Sequence, residues 1–371
     1  MKPVVFYVSG HGFGHASRDI EVINALHALR PSLPVVVRTS ARRWLFDLTV
    51  RNPIEFHEVV CDTGVVQVDS LHLDEQASIR DAGLFYGDLD RRSEGESAFL
   101  QSIGAGLVVG DIPPLAFTAA ARAGVRSIAL GNFTWDWIYE EYAELLPRYH
   151  ALLPTVRDSY RHAELALRLP LCGGFESFGR VVDIPFVARH RTRERAEVRQ
   201  SLGLAPDRPT VLLSFGGYGL GGLQPAGIEE ATAHGYTVVT TDQAGAREVE
   251  GSASRQLVML TETSLYARGY RYEDLLAAVD VVMTKPGYGI IAECIANGTA
   301  MVYTSRGRFR EYGVLVEGIQ RYLRHSYISN EDLYEGCWSP FLDQALAMPP
   351  PATTPPTNGA ERAAEMILAL L

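Results

Sequence analysis

The 371-residue chain has few cysteines, no long hydrophobic run and no excess of basic residues. Each of these features disfavours a particular class of protein. Its four cysteines form no CxxC pair, which disfavours a zinc knuckle, and so few thiols are typical of a reducing compartment. The N-terminus lacks the apolar core and small-residue cleavage site of a signal peptide, and no apolar run approaches the length of a membrane span. We therefore expect a cytoplasmic protein.

The charge balance disfavours one class of partner. The chain has 34 Lys and Arg residues against 44 Asp and Glu, which gives a formal net charge of −10 at pH 7. General binding to nucleic acid depends on neutralising phosphates with basic side chains, so we expect no nucleic-acid partner. A local basic site for a small anionic ligand remains compatible with this charge.

Two common phosphate-binding signatures are missing. No GxxxxGK[ST] loop occurs, which disfavours a P-loop nucleotidase. The first glycine cluster, "SGHGFGH", has the spacing GxGxG instead of the dinucleotide fingerprint GxGxxG, and Arg38 stands where that fingerprint expects an acid. An NADP site could use this arginine, but it would leave the glycine-rich second half of the chain unexplained.

The sequence also gives little support for a metal site. His11 and His15 are four residues apart, a spacing that pairs ligands on a helix, but they flank glycines in a loop and no third ligand can be nominated. Asp88 and Asp90 form a DxD, yet the polar stretch around them favours a surface turn. We predict no metal ligand and no cofactor.

The chain does contain a repeated alternation of strand-like and helical patterns. The first half predicts strands and helices in turn at 4–8, 17–29, 35–38, 41–48, 107–110, 113–123 and 127–130. The rhythm restarts later, with predicted strands at 211–215, 237–241, 257–260, 281–283 and 301–304 and a helix at 290–297. This order predicts an α/β protein with two parallel sheets.

The restart also predicts the domain organisation. We expect a Rossmann-like domain over 1–187, a second one over 188–347, and a Pro-rich linker with a C-terminal helix over 348–371 that packs back on the first domain. We interpret the arginine-rich segment 189–199 as a solvated connector helix, because glutamates are interspersed in it. Its charge leaves peripheral contact with an acidic membrane surface open.

Glycines that follow a strand and precede a helix let phosphate approach the free N–H groups of the helix. The second half contains two such places, "SFGGYG" and "TKPGYGIIAE". The latter adds Lys285 as a point charge, and Glu293, two turns further on, could accept from ribose hydroxyls or simply lie on the helix surface. We predict a diphosphate and ribose site formed by Gly216, Gly217, Lys285, Gly287, Gly289 and Glu293.

A second set of polar residues follows the strands of the first half. Asp111 ends the apolar run "LVVGD", where it could orient His15 and stabilise its protonated form, or cap the next helix. The segment "GNFTWDW" follows another strand. Its two tryptophans could belong to the core, but Asn132, Trp135 and Asp136 together resemble a set of residues that faces a sugar. We assign to this cleft His11, Gly12, Gly14, Asn132, Trp135 and Asp136.

Two glycine-headed α/β halves, a linker and a returning helix resemble the GT-B fold of glycosyltransferases, in which two Rossmann-like domains face each other across a cleft. "TKPGYGIIAE" resembles the donor motif of muramyl-type N-acetylglucosaminyltransferases and diacylglycerol glycosyltransferases, in which the loop holds the diphosphate and the glutamate holds the ribose. The later "SRGRFREY" lies where those enzymes carry a donor-sugar loop. Glu311 matches that loop, whereas Tyr312 replaces its amide.

A wider similarity covers nearly the whole chain. "VSGHGFGHASR", "CDTGVVQVDSLHLD", "GNFTWDWIYEEY" and "KPGYGIIAE" resemble, in this order, the N-terminal glycosyltransferase-like region of plant L-arabinokinases. The sugar-kinase half of those proteins has no counterpart in this sequence, and no galactokinase-type glycine–serine phosphate loop occurs in it. The resemblance therefore does not imply arabinose kinase activity.

These resemblances imply a metal-independent, inverting glycosyltransferase that moves a sugar from an NDP-sugar, with UDP expected, to the hydroxyl of a small-molecule or lipid acceptor. In related inverting enzymes a histidine after the first strand deprotonates the acceptor. His15 matches that histidine, and Asp111 is its candidate partner. Two alternatives stay open: a sugar-nucleotide 2-epimerase on the same fold, and a non-catalytic module that binds nucleotide-sugars.

Overall fold

The computed structural model describes residues 1–216, 225–241 and 257–371, which form two parallel sheets packed with helices. The predicted α/β class and the two parallel sheets are confirmed. Gly217, which the sequence predicts to bind phosphate, lies outside the described residues.

The first half of the chain forms a seven-stranded parallel sheet. In chain order its strands and a separate two-stranded hairpin are β1 (Val4–Val8), β2 (Val35–Thr39), β3 (Glu55–Glu58), β4 (Val66–Gln67), β5 (Leu73–Asp74), β6 (Leu107–Asp111), β7 (Ser127–Phe133), β8 (Leu165–Gly173) and β9 (Val181–Asp183). The hairpin pairs β4 with β5, and the sheet order is β3-β2-β1-β6-β7-β8-β9.

The second half forms a six-stranded parallel sheet. Its strands are β10 (Thr210–Leu213), β11 (Thr237–Thr240), β12 (Leu257–Met259), β13 (Val281–Thr284), β14 (Ala300–Tyr303) and β15 (His325–Tyr327). They lie in the order β12-β11-β10-β13-β14-β15.

Helices connect the strands of both sheets. They are α1 (Gly14–Leu29), α2 (Arg43–Thr49), α3 (Glu75–Gly87), α4 (Leu89–Ser102), α5 (Pro114–Ala123), α6 (Trp135–Tyr139), α7 (Leu152–Tyr160), α8 (Arg195–Leu202), α9 (Pro225–Ala233), α10 (Glu262–Ala267), α11 (Tyr272–Ala278), α12 (Tyr288–Asn297), α13 (Tyr312–Tyr322), α14 (Asn330–Glu335), α15 (Ser339–Ala347) and α16 (Gly359–Ala369). Short 3-10 turns occupy Glu140–Tyr142 and Leu146–Tyr149. Gly298, with φ +72°, ends α12 where the sequence predicts its cap.

Both faces of the first sheet are covered, which explains its apolar strands. In β1, Val4, Phe6 and Val8 pack into one hydrophobic cluster, while Val5 and Tyr7 pack into another on the opposite face. Parallel strands buried on both sides have nearly continuous apolar sequences. The apolar run alone therefore predicts this strand.

The C-terminal helix α16 packs against α1 at the first sheet. Ala363, Ala364 and Ile367 are fully buried in the same cluster as β1. The preceding linker is fixed by backbone hydrogen bonds to Phe186, which donates to Pro356 (3.2 Å) and accepts from Gly359 (2.9 Å). The end of the chain is thus joined to the segment that connects the two sheets.

The arginine-rich segment differs from its predicted form. It is not a solvated connector helix, because α8 begins only at Arg195 and the side chain of Arg189 is only 14% exposed. Arg199 is also buried, where it donates to the carbonyl of Ala278 (2.9 Å). Alternating glutamates indicate solvent exposure. Arg189 and Arg199 are nevertheless largely buried, because they bind the Glu293 carboxylate and the Ala278 carbonyl, which lie far away in sequence.

The DxD also differs from its predicted form. Asp88 lies at the junction between α3 and α4, and Asp90 lies in the first turn of α4, so the polar stretch is largely helical. The Asp88 carboxylate pairs with Arg91 (2.5 Å) and that of Asp90 with Arg122 (2.6 Å). Both carboxylates therefore serve surface ion pairs near helix ends.

The strand orders place two crevices where ligands bind in α/β sheets. β1 lies between β2 and β6, and β10 lies between β11 and β13, so each sheet reverses its winding at these strands. Ligands bind beyond the carboxyl ends of parallel strands at such points. We therefore expect a ligand site at the turns after β1 and β6 and at those after β10 and β13.

Candidate functional site

A cavity of about 640 Å³ lies between the two sheets and is lined by residues of both. Its volume is in the range of small-molecule sites. Of the residues predicted for the site, those that line this cavity are His11, Gly12, Gly14, His15, Trp135, Gly216, Lys285, Gly287, Gly289, Glu293 and Glu311. The turns at both crevices thus line the same cavity.

Glycine conformation shapes both turns. Gly12 has φ +73° in the turn between β1 and α1, and Gly216 has φ +80° after β10. Side chains with a Cβ rarely adopt this left-handed region, so glycine is favoured at both positions. Gly14 and Gly289 bring the starts of α1 and α12 together, since a Cβ on Gly289 would lie 3.9 Å from the Cα of Gly14.

His15 and Asp111 form a buried pair at the first crevice. The Nδ1 of His15, in the first turn of α1, lies 2.9 Å from Oδ1 of Asp111 at the end of β6. When Nδ1 carries the proton and donates it to this carboxylate, Nε2 is left as the basic nitrogen of the ring. The pair thus has the acid–histidine arrangement that a general base requires.

Arg18 completes this pair and is not among the residues predicted for the site. Its guanidinium binds both oxygens of Asp111, Nε to Oδ2 and Nη2 to Oδ1, each at 2.5 Å, and also donates to Oδ1 of Asn132. Burial opposes ionisation of Asp111, but Arg18 and His15 outweigh it and lower the pKa of the carboxyl group. Asp111 therefore stays an acceptor for His15.

His11 lies on the cavity side of the same turn and stays neutral. Burial, together with His15 and Arg306 nearby, lowers the pKa of His11 to about 3. Its ring lies edge-on to that of Trp135, with 5.9 Å between the centroids. A neutral imidazole in this position can exchange hydrogen bonds with a ligand hydroxyl.

Trp135 is held by a buried carboxylate that the sequence does not single out. Its indole Nε1 donates to Oδ2 of Asp62 (2.9 Å), and Ser9 donates to Oδ1 (3.1 Å). Burial raises the pKa of Asp62 to about 6, against the effect of these two hydrogen bonds. The indole is thus fixed against the cavity.

Two predicted cleft residues point elsewhere. Asn132 is buried, accepts from Arg18 and donates to the carbonyl of Pro170 (2.7 Å). Asp136 is also buried and pairs with Arg157 (3.1 Å). Neither belongs to the cavity wall among the described residues. Both side chains instead bind other groups of the protein. That either of them binds a sugar directly stays a prediction.

The second crevice has the features of an anion site. Gly287 precedes α12, and the cavity is lined by the first residues of this ten-residue helix, whose free N–H groups attract negative charge. Lys285 lies beside it, without an ion-pair partner among the described residues. Burial and the neighbouring Arg306 lower the pKa of Lys285 to about 7, although Glu311 opposes them.

Arg306 adds a second cation that residue-by-residue prediction missed. It is buried, donates to the carbonyl of Pro286 (3.2 Å), and lies 3.6 Å from the Glu311 carboxylate. Its Nε has no hydrogen-bond partner in the described part of the chain. The segment "SRGRFREY" is a signal for this place, but it draws attention to the glutamate and not to the first arginine.

Glu293 is buried and bound to an arginine from the segment that joins the sheets. Arg189 Nε donates to Oε1 of Glu293 (2.6 Å), and its guanidinium lies 5.2 Å from the centre of the Tyr272 ring. Burial raises the pKa of Glu293, and Arg189 opposes this effect. The carboxylate lines the cavity, with Oε1 occupied by Arg189.

The described residues contain neither a metal-binding cluster nor a membrane-spanning helix. No cluster of three or more His, Cys, Asp or Glu side chains there is arranged to hold a metal ion. None of the helices in residues 1–216, 225–241 and 257–371 is both long and apolar enough to cross a membrane.

Sequence comparison supports the resemblance identified from the ordered motifs. The chain is 32% identical over 369 residues to L-arabinokinase of Arabidopsis thaliana, with 98% of this chain and 34% of that protein covered. The chain therefore spans about a third of the length of this curated relative. No protein-family model matches it.

Structural comparison shows the fold. The chain resembles the glycosyltransferase SnogD from Streptomyces nogalater (TM-score 0.61, 17% identity, 100% of both chains) and MurG of Acinetobacter baumannii (TM-score 0.57, 13% identity, 100% of both chains). It also resembles the glycosyltransferase VinC in complex with dTDP (TM-score 0.60, 14% identity, 99% of this chain and 94% of that one). The predicted GT-B fold is confirmed.

Proposed function

We propose that this protein is a metal-independent glycosyltransferase that moves a sugar from an NDP-sugar, with UDP as the expected nucleotide, to an acceptor hydroxyl. The observation that carries the proposal is one cavity with a histidine–carboxylate pair on one wall and a cationic helix start on the other. The GT-B fold and the dTDP complex of VinC support a nucleotide-sugar as the donor.

We assign the two walls to the two substrates. The diphosphate would bind at the start of α12 with Lys285, Arg306 and Gly216, and the ribose hydroxyls would donate to the free oxygen of Glu293. The acceptor, a small molecule or a lipid headgroup, would lie near His11 and Trp135. Residues 1–187 then form the acceptor domain, 188–347 the donor domain, and we place the protein in the cytoplasm.

In the proposed reaction, Nε2 of His15 takes the proton of the acceptor hydroxyl as the oxygen attacks the anomeric carbon. A new carbon–oxygen bond forms while the bond from this carbon to the diphosphate breaks, with inversion. Lys285 and the α12 N–H groups stabilise the departing diphosphate. Asp111 orients His15 and stabilises the imidazolium that forms.

A nucleotide-release assay with a panel of hydroxyl acceptors tests the activity. Replacing His15 by Ala should lower turnover by about 10² to 10⁴, because the general base is lost, and should leave UDP affinity unchanged. His57→Ala is the control, since this imidazole lies on β3, pairs with Glu55 and is not among the residues that line the cavity in the described part of the chain. Unchanged turnover in His15→Ala would contradict the assignment.

The same assay separates the two alternatives. A 2-epimerase would change the sugar of a UDP-sugar without an acceptor, which analysis of the recovered donor reveals. A non-catalytic module would bind the nucleotide-sugar and turn over none of the acceptors. No observation in the structure favours either alternative over transfer.

A further inference from the structure

The loop between β14 and α13, residues 304–311, belongs to the second sheet but is bound by elements of the first. The backbone N–H of Gly307 donates to the carbonyl of Leu71 (2.9 Å), and the hydroxyl of Tyr142 donates to that of Arg308 (3.1 Å). Leu71 is itself fully buried in a core cluster of the second sheet. Each half of the molecule thus inserts into the other at this loop.

Arg308 extends from this loop into a group of acids on the first half. Its Nη1 lies 2.6 Å from Glu144 and 3.2 Å from Glu75, and its Nε lies 3.3 Å from Glu141. It also donates to the backbone carbonyl of Glu141. One guanidinium therefore serves three carboxylates and a main-chain oxygen.

Arg310 makes a second attachment to the same surface. Its Nη1 lies 2.8 Å from the Glu140 carboxylate and donates to the carbonyl of Trp137. Its guanidinium also lies 4.8 Å from the centre of the Trp137 ring. We call Arg308 and Arg310, with Glu140, Glu141 and Glu144, the arginine clasp.

The same short loop also contributes two residues to the cavity wall. Arg306 and Glu311 line the cavity, whereas Arg308 and Arg310 do not belong to its wall in the described part of the chain. Arg306 stacks over the ring of Phe309 at 3.6 Å, and Phe309 is buried in a cluster of the first half. The position of the Arg306 guanidinium therefore depends on how the loop is held.

We propose that the arginine clasp positions Arg306 and Glu311 for the donor, so that donor affinity depends on contact between the two halves. This inference rests on the proposed function. A single exposed ion pair contributes little, but here several carboxylates and two carbonyls share two guanidinium groups. Since these charges are partly exposed, salt weakens the clasp and hence donor binding.

Charge reversal tests the clasp, with UDP, GDP and dTDP as probes in isothermal titration calorimetry. Arg308→Glu should weaken binding of the nucleotide by about tenfold, because the clasp is replaced by repulsion. Adding Glu144→Arg should restore much of the affinity, a result that damage to the fold would not give. Arg321→Glu is the control, since this exposed arginine lies on α13 and contacts only the Tyr322 ring among the described residues.

Hydrogen exchange of residues 304–311 gives a readout that does not depend on a nucleotide. Exchange should be faster in Arg308→Glu than in the wild type and slow again in the charge-swapped double variant. Unchanged affinity and unchanged exchange in Arg308→Glu would overturn the inference, as would a loss that the swap leaves unrepaired. If the wild type binds none of the three probes, the donor assignment fails, and the exchange experiment alone decides whether the clasp holds the loop.

Discussion

At the residue scale, the buried ion pair of Arg18 and Asp111 holds the carboxylate that His15 contacts. Without Arg18, Asp111 would be a buried carboxylate that keeps its contact with His15 but loses its guanidinium counter-ion, and one partner of a buried ion pair is costly to leave alone. The arginine lies one helical turn after the histidine, so both side chains project from the same face of α1. In the proposed reaction, Arg18 is therefore a positioning residue.

Arg18→Met should lower the free energy of unfolding by about 3 kcal/mol at pH 7, measured by urea denaturation. Because the folded-state pKa of Asp111 lies below its ordinary 3.8, this carboxylate stabilises the fold above that pH and the contribution is lost as pH falls through the folded value. The difference from the wild type should therefore shrink below about pH 4. Arg161→Met, which removes a surface ion pair with Asp158, is the control and should cost less than about 1 kcal/mol. Equal stability of both variants would contradict this account.

Lys285 gives the proposed donor site a pH dependence. The pKa of Lys285 is about 7 in the protein without ligand, so its ammonium group loses its charge as pH rises through neutrality. A bound diphosphate favours the charged form. Binding of a UDP-hexose should therefore weaken by up to about tenfold for each pH unit above 7, as measured by calorimetry between pH 6.5 and 8.5. In Lys285→Arg the charge persists and the profile should be flat. The same slope in both proteins would exclude Lys285 as its source.

At the element scale, local patterns predict the strands and glycine turns, but not their polar partners. β1, β10 and β13 are predicted because apolar runs followed by glycine are contiguous in sequence. Arg18 and Asp111 are 93 residues apart, and Arg189 and Glu293 are 104 apart, so only the folded sheets bring them together. His15 and Lys285 are predicted as site residues, because each lies close in sequence to the end of a predicted strand and to a glycine turn.

The C-terminal helix α16 is an element whose contribution can be measured. Ile367 is fully buried against the first sheet, so Ile367→Ala should lower the free energy of unfolding by about 2 to 4 kcal/mol. Glu361 is exposed on the same helix, and Glu361→Ala should change stability by less than about 0.5 kcal/mol. Thermal or urea unfolding compares the two. A small effect of Ile367→Ala would mean that α16 is not part of this core.

At the scale of the whole molecule, each sheet presents its switch point to a common cavity. The first sheet contributes His15 and its Asp111 partner, and the second contributes cations and a helix start. The arginine clasp and the linker through Arg189 connect these two sets. Sequence patterns predict the two halves, but the cavity exists only because of their packing, which no local pattern encodes.

Nucleotide-sugar binding to the wild-type protein tests the central claim most directly. In a thermal-shift screen with UDP-, GDP- and dTDP-sugars, one nucleotide should raise the melting temperature, since ligand at 100 times its Kd adds about 2.7 kcal/mol to the free energy of unfolding. Lys285→Ala should reduce that shift, and His15→Ala should retain it. If none of the three nucleotides shifts the melting temperature of the wild type, the donor site assigned to Lys285 and Glu293 is contradicted.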